Sequence, residues 1–185
     1  FFVVGDPAFL ERLALRLDRL VPVAEVDPET AAEVFPRALP VVPLPSGTTL
    51  EATPGLPDSA NAGAVIESIS AAVGFVKAGR AAAIVTNPIA KHVLTRAGFA
   101  HPGHTEFLAA LAANATGRAA LPVMLLAGPK LRAVPVTLHI PLQDVPEALT
   151  EDLIVATAPI TARDPRQRFA IPRPRLASAA LHPPA

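Results

Sequence analysis

Residues 81–91 read AAAIVTNPIAK. Ala82 to Thr86 form a short, unbroken apolar run of the kind a strand buried on both faces requires, and Pro88 suits the first turn of a helix. A strand that turns at once into a helix is the repeating unit of a parallel or mixed sheet with helices on both faces. The pattern extends upstream. Val65, Ile66, Ile69, Val73 and Val76 recur at helical spacing between Ser59 and Lys77, with Gly79 placed as a C-terminal stop. At the N-terminal end, the apolar Phe1–Val4 meets Gly5, Asp6 and Pro7, where Asp can cap a helix and Pro can occupy its first turn. Leu10, Leu13, Leu17 and Leu20 then predict a helix to about Leu20. Between Pro22 and Pro57, proline recurs inside β-like pieces such as VPVAEV (21–26) and PVVPLP (40–45). Proline cannot donate to a ladder, so this part is expected to be irregular, with strands only at a sheet edge.

Downstream, the helix from Pro88 should end near Gly98, and HPGHTEF (101–107) should lead into another helix through Leu108 and Leu111 to about Ala115. Two strands, LPVMLLA (121–127) and AVPVTLH (133–139), a helix near Leu149 to Thr161 and a last strand, Arg175 to Leu181, complete the reading. Strands alternating with helices make the fold class α/β.

Of 185 residues, 51% are hydrophobic and mean hydropathy is +0.40, yet no unbroken apolar run nears a bilayer span of about 18 residues. Zero cysteines exclude a disulfide framework, and no basic, apolar leader opens the sequence, so a cytoplasmic location is expected and a membrane partner is not. Formal net charge is zero at pH 7 and the only aromatics are eight Phe, which argues against a nucleic-acid partner in both electrostatics and stacking. Only 17% of residues are charged, against about 25% in an average soluble domain, so part of the surface should be covered by a partner subunit or by further chain. The abrupt apolar start at Phe1 favours an internal piece of a longer protein.

In an open α/β sheet, ligands bind beyond the carboxyl ends of strands, where helix starts offer free N–H groups. Three places have that character. Asn87 follows the run ending at Thr86 and either caps the next helix or meets a ligand, with Lys91 one turn on and able to reach an anion. At HPGHTEF, Gly103 permits a close turn while His104 and Thr105 open a helix; imidazole, hydroxyl and N–H groups there suit a phosphate or hydroxy acid. The competing reading makes Thr105 a helix cap and His104 a packing residue. His139, at the end of AVPVTLH, could ligate a divalent metal or simply be structural, since no second donor stands nearby in the sequence. His92 and His101 read as surface or rim. GxGxxG, GxxxxGK and GxSxG are all absent, which removes support from Rossmann, P-loop and hydrolase readings.

Taken in order, FVVGDPAFLERLA (2–14), PDSANAGAVIESI (57–69), IVTNPIAKHVLTRAGF (84–99), HPGHTEFLAAL (101–111) and TLHIPLQDV (137–145) resemble the 4-hydroxythreonine-4-phosphate dehydrogenase family of pyridoxal phosphate biosynthesis. The resemblance implies an isocitrate/isopropylmalate dehydrogenase-like, three-layer α/β/α fold in a two-domain chain. Residues 1–100 would belong to the first domain, lacking its opening strand, and 101–185 to the second. It also implies a homodimer that oxidises 4-phosphooxy-L-threonine with NAD, followed by decarboxylation to 3-amino-2-oxopropyl phosphate. A divalent metal (Zn, Mg or Co) would assist. On this pattern His104 and Thr105 match the substrate-binding pair and His139 the first of three metal histidines. The chain departs from the pattern at ALHPPA (180–185), where Pro184 stands at the second metal histidine's position and His182 at an asparagine's, and the third would lie beyond Ala185. The alternatives are a dehydrogenase of a four-carbon sugar-acid phosphate, a truncated, non-catalytic phosphate-ligand-binding remnant, and a metal-dependent lyase or hydrolase on the same scaffold.

Overall fold

The computed structural model describes residues 1–101, 103–117 and 120–179. It divides into two compact units, Phe1–Ala120 and Leu121–Ala185, so HPGHTEF belongs to the first.

The first unit is built on a parallel three-stranded sheet of order β1-β3-β2, formed by β1 (Val3–Gly5), β2 (Val23–Glu25) and β3 (Leu39–Pro43). Val3 pairs with Val41 and Val23 with Leu39. β3 is thus central despite Pro40 and Pro43, which corrects the expectation of edge strands. The register explains how the prolines are tolerated. Val26 donates to the Val41 carbonyl (2.9 Å) and Leu39 to the Pro22 carbonyl (2.7 Å), so the odd-numbered residues of β3 face β2 and the even ones face β1. Pro40 would need its missing N–H only opposite Phe2, before β1 begins; Pro43 would need it only beyond the end of β2. Val41 is fully buried, and Val42 and Leu44 continue the core.

α1 (Pro7–Arg16) starts where the sequence indicates: Asp6 Oδ1 accepts from the Ala8 N–H at 2.9 Å and Pro7 opens the helix. Asp6 Oδ2 also accepts from the Leu50 N–H at 2.8 Å, and the Arg12 guanidinium donates to the Leu50 carbonyl at 2.7 Å. The proline-rich segment after β3 is therefore tied to α1 at both polar groups of Leu50. The helix stops short of Leu20. Arg19 donates to the Ala14 carbonyl and Asp18 to that of Leu15, with Asp18 in the left-handed region (φ 51°), a Schellman ending that leaves Leu20 96% exposed. α2 (Ala31–Val34) is a single turn between β2 and β3.

A 3-10 turn at Ser59–Asn61 leads into α3 (Ala62–Lys77). Ser59–Lys77 is long and apolar enough, by length and composition, to cross a membrane. Its Ser68 hydroxyl nevertheless donates to the Val4 carbonyl of β1 (2.8 Å), and Glu67 accepts from the Ser46 N–H (2.7 Å), so the helix is laid on the sheet. Gly79 (φ 72°) ends it in a second Schellman turn, with Arg80 N–H on the Phe75 carbonyl. The Arg80 guanidinium stacks over the Phe75 ring at 5.1 Å and forms a two-pronged pair with Glu29, holding the Glu29 carboxyl down at about 2.

Ala82–Thr86 is not a strand. The segment is irregular and Val85 is 97% exposed, because no strand lies alongside it among the described residues to take up its N–H and C=O groups. The following helix, α4 (Lys91–Arg96), begins three residues later than Pro88 suggests. α5 (His104–Thr116) follows and packs on α3. Mixed α/β architecture with a parallel sheet is the outcome.

In the second unit the two expected strands shrink to a two-residue antiparallel pair, β4 (Leu126–Ala127) with β5 (Arg132–Ala133), closed by a Gly128 N–H to Leu131 carbonyl bond of 2.8 Å. Pro122 and Pro135 lack the donors needed to lengthen it. After a 3-10 turn (Leu142–Asp144) and the short α6 (Val145–Ala148), α7 runs from Glu151 to Arg168, capped by Thr150 and longer than the apolar pattern suggested. Arg175–Ala179 is not a strand, and the last two residues of that expected strand lie outside the described residues.

Candidate functional site

The site is positioned by the way α4 ends. Gly98 sits in the left-handed region (φ 87°), where it donates to the Thr95 carbonyl, while Phe99 donates to that of Leu94, both at 3.0 Å. This turn sends Phe99 back over the buried Val93 and Leu94 end of α4 and into contact with the first turn of α5. The Phe99 ring meets Phe107 edge-on at 5.1 Å and His101 at 5.3 Å, and His101 lies 5.1 Å from Phe107. Phe107 is only 7% exposed. His101 is therefore a half-buried member of an aromatic cluster that anchors the start of α5, a packing role beyond that of a rim residue.

His104 and Thr105 are the first two residues of α5. Gly103 occupies the cap position in extended backbone and no side chain caps the helix, so Thr105 is not the cap that the competing reading required. His104 Nε2 is buried and has no hydrogen-bond partner among the described residues. Gly103 is itself buried, and the ends of two side chains lie over it. A Cβ built on it would stand 3.2 Å from Glu106 Oε2 and 3.3 Å from both Cε and Nζ of Lys91. An ammonium and a carboxylate thus both approach the backbone where α5 begins without pairing with each other, an arrangement invisible in the sequence beyond the presence of Lys91 and of an acid at the third helical position.

The other candidates are not gathered here. Asn87 lies exposed in the irregular segment, and Ala90, three residues on, precedes α4 without a side-chain cap, so Asn87 is not an N-cap. His92 is exposed on α4. His139 belongs to the second unit, in a bend with left-handed backbone (φ 56°), a conformation uncommon for a residue with a Cβ. No group of three His, Cys, Asp or Glu side chains converges on a metal position among the described residues, and His182 and Pro184 lie outside them. One imidazole does not make a metal centre. A cleft of about 590 Å³, lined among others by Glu51, Asp58, Ser59, Val93 and Arg96, includes neither His104 nor Thr105.

The family model described as pyridoxal phosphate biosynthetic protein PdxA matches residues 1–185. The chain belongs to the PdxA family. Among PdxA relatives, the 4-hydroxythreonine-4-phosphate dehydrogenase of a Methylorubrum extorquens strain is 61% identical over 183 residues, 99% of this chain and 52% of the relative. That of Bradyrhizobium diazoefficiens is 49% identical over 191 residues, 99% of this chain and 54% of its own length. The chain spans about half the length of the curated relatives it matches. The crystal structure of 4-hydroxythreonine-4-phosphate dehydrogenase from Klebsiella pneumoniae superposes with a TM-score of 0.76 at 30% identity, over 94% of this chain and 52% of that one. The Burkholderia phymatum enzyme gives 0.74 at 28% identity, over 94% and 51%. These PdxA-family likenesses bear out the resemblance read from the five sequence segments.

Proposed function

We propose that this PdxA-family chain supplies the substrate-holding part of an NAD-dependent dehydrogenase of pyridoxal 5'-phosphate biosynthesis. It would oxidise the hydroxyl of 4-phosphooxy-L-threonine to a ketone, after which the β-keto acid loses CO2 to leave 3-amino-2-oxopropyl phosphate. The observation that carries this reading is the buried His104 Nε2, unpartnered among the described residues, at the start of α5, which has no side-chain cap among them. An unsatisfied buried polar atom costs about 1–3 kcal/mol, which a ligand oxygen would recover. His104 and Thr105 would hold oxygens of the phosphorylated substrate and so fix the distance between its reacting carbon and the cofactor. NAD would supply the hydride acceptor. In the whole enzyme a divalent ion (Zn, Mg or Co) would take His139 as one ligand; the described residues gather no group of three donors around it. The isocitrate dehydrogenase-like three-layer fold, the homodimer and the cytoplasmic location are parts of the same proposal and rest on family membership.

The test is NADH formation by the purified protein with 4-phosphooxy-L-threonine and, in parallel, with erythronate 4-phosphate. Turnover of the first is expected, with kcat/KM lowered about 10- to 100-fold in His104→Asn or Thr105→Val, the effect of losing one charge-assisted hydrogen bond. Turnover of the sugar-acid phosphate alone would move the substrate assignment to that class. Turnover of neither would leave a ligand-binding remnant.

A further inference from the structure

We infer that Lys91 is a further ligand-positioning residue of this site, holding an oxyanion of the phosphorylated substrate against the backbone of Gly103. The inference deepens the reading above and rests on it for the identity of the substrate. Lys91 is the first residue of α4, where the helix dipole opposes a positive charge, so it does not serve the stability of its own helix. A lysine with no task extends into water. Lys91 is solvent-exposed, yet its end lies over the backbone of Gly103, with both Cε and Nζ 3.3 Å from the point where a Cβ would stand. It has no hydrogen-bond or ion-pair partner among the described residues. Glu106 Oε2 is 3.2 Å from the same point, without pairing to the ammonium, and sits at the far end of a flexible side chain. An arriving phosphate or carboxylate oxygen would take that place next to the ammonium, with Glu106 swinging outward. The buried His104 Nε2, unpartnered among the described residues, belongs to the next residue in the chain. These side-chain ends can come so close because residue 103 has no side chain, not because the backbone demands glycine: its φ of −174° is extended and open to any residue.

The experiment is calorimetric titration of the purified protein with inorganic phosphate, comparing Lys91→Met, Lys91→Arg, Gly103→Ala and, as a surface-cation control, Lys77→Met. Thermal midpoints verify that each variant is folded. Loss of a charge-assisted contact predicts phosphate binding weakened about 10- to 100-fold in Lys91→Met, largely restored in Lys91→Arg, and unchanged in Lys77→Met. Gly103→Ala should bind as poorly as Lys91→Met, because its methyl takes the space over the backbone while displacing only flexible side-chain ends. In turnover, Lys91→Met should raise KM for 4-phosphooxy-L-threonine by a similar factor with kcat little changed, as expected for binding shared by ground and transition states. Wild-type phosphate affinity in Lys91→Met, or no phosphate binding by the wild type, overturns the inference. Lys91-dependent phosphate binding without oxidation of phosphooxy-threonine would sustain it while refuting the proposed activity; oxidation unaffected by Lys91→Met would do the reverse.

Discussion

Replacing Asp6 with Ala removes two bonds made by one buried carboxylate, and the structure sets their size. Asp6 is 8% exposed; Oδ1 caps α1 through the Ala8 N–H and Oδ2 takes the Leu50 N–H, 44 residues away. Loss of an N-cap costs about 1 kcal/mol. Loss of a hydrogen bond to a charged group costs about 1.5–3 kcal/mol, so the sum for Asp6→Ala is about 2.5–4 kcal/mol. Asp6→Ser keeps an acceptor for the cap but is too short to span to Leu50, and should lose only the larger part. Burial by itself would raise the Asp6 carboxyl, but the N–H groups of Leu50, Phe9 and Ala8 and the charge of Arg12 outweigh it and hold the group below its ordinary 3.8. A depressed carboxyl stabilises above its unfolded value and loses that contribution as pH falls through the folded one, so the gap between wild type and Asp6→Ala should close on acidification below about 3.8. Urea denaturation at neutral pH and in acid below that value, with limited proteolysis of residues 44–58 as a local reporter, measures both effects. A variant within about 0.5 kcal/mol of wild type at neutral pH, the usual spread for neutral surface changes, would falsify the claim that Asp6 ties the proline-rich segment to α1.

Two further outcomes follow from backbone and charge. Gly98→Ala should cost about 1 kcal/mol, purely from the left-handed backbone, since a methyl there meets nothing within 4 Å; Gly74→Ala, inside α3 with equal room, should instead stabilise by about 0.5–1 kcal/mol, and urea midpoints compare the two. Glu29 is held down at about 2, first by its hydrogen bond from Arg80, so its contribution is complete above its ordinary 4.5 and vanishes as pH falls through 2. Thermal midpoints of Glu29→Gln should therefore trail wild type slightly at neutral pH and converge with it toward pH 2; a constant difference across that window would show that the pair has no role.

Several features of this protein were legible in the sequence because they depend on a few adjacent residues. Asp6 and Pro7 start a helix, Gly79 and Gly98 stop two others, and HTEF opens α5 behind a glycine, all through local capping and left-handed backbone. Family membership was legible for a similar reason, since five short segments carry it. What the sequence could not decide is whatever needs a partner. PVVPLP became the central strand because the register of β1 and β2 places each proline where no donor is wanted, whereas the better-looking Ala82–Thr86 run stayed irregular for lack of a neighbouring strand among the described residues. His139 proved to lie in a left-handed bend, not at a strand end. The approach of Lys91 and Glu106 to the backbone of Gly103 involves residues 15 apart in sequence, and the turn at Gly98 helps bring them there. Helix ends are short-range agreements between backbone and side chain; strands and binding sites are long-range ones, settled only when distant segments supply each other's missing hydrogen bonds and charges.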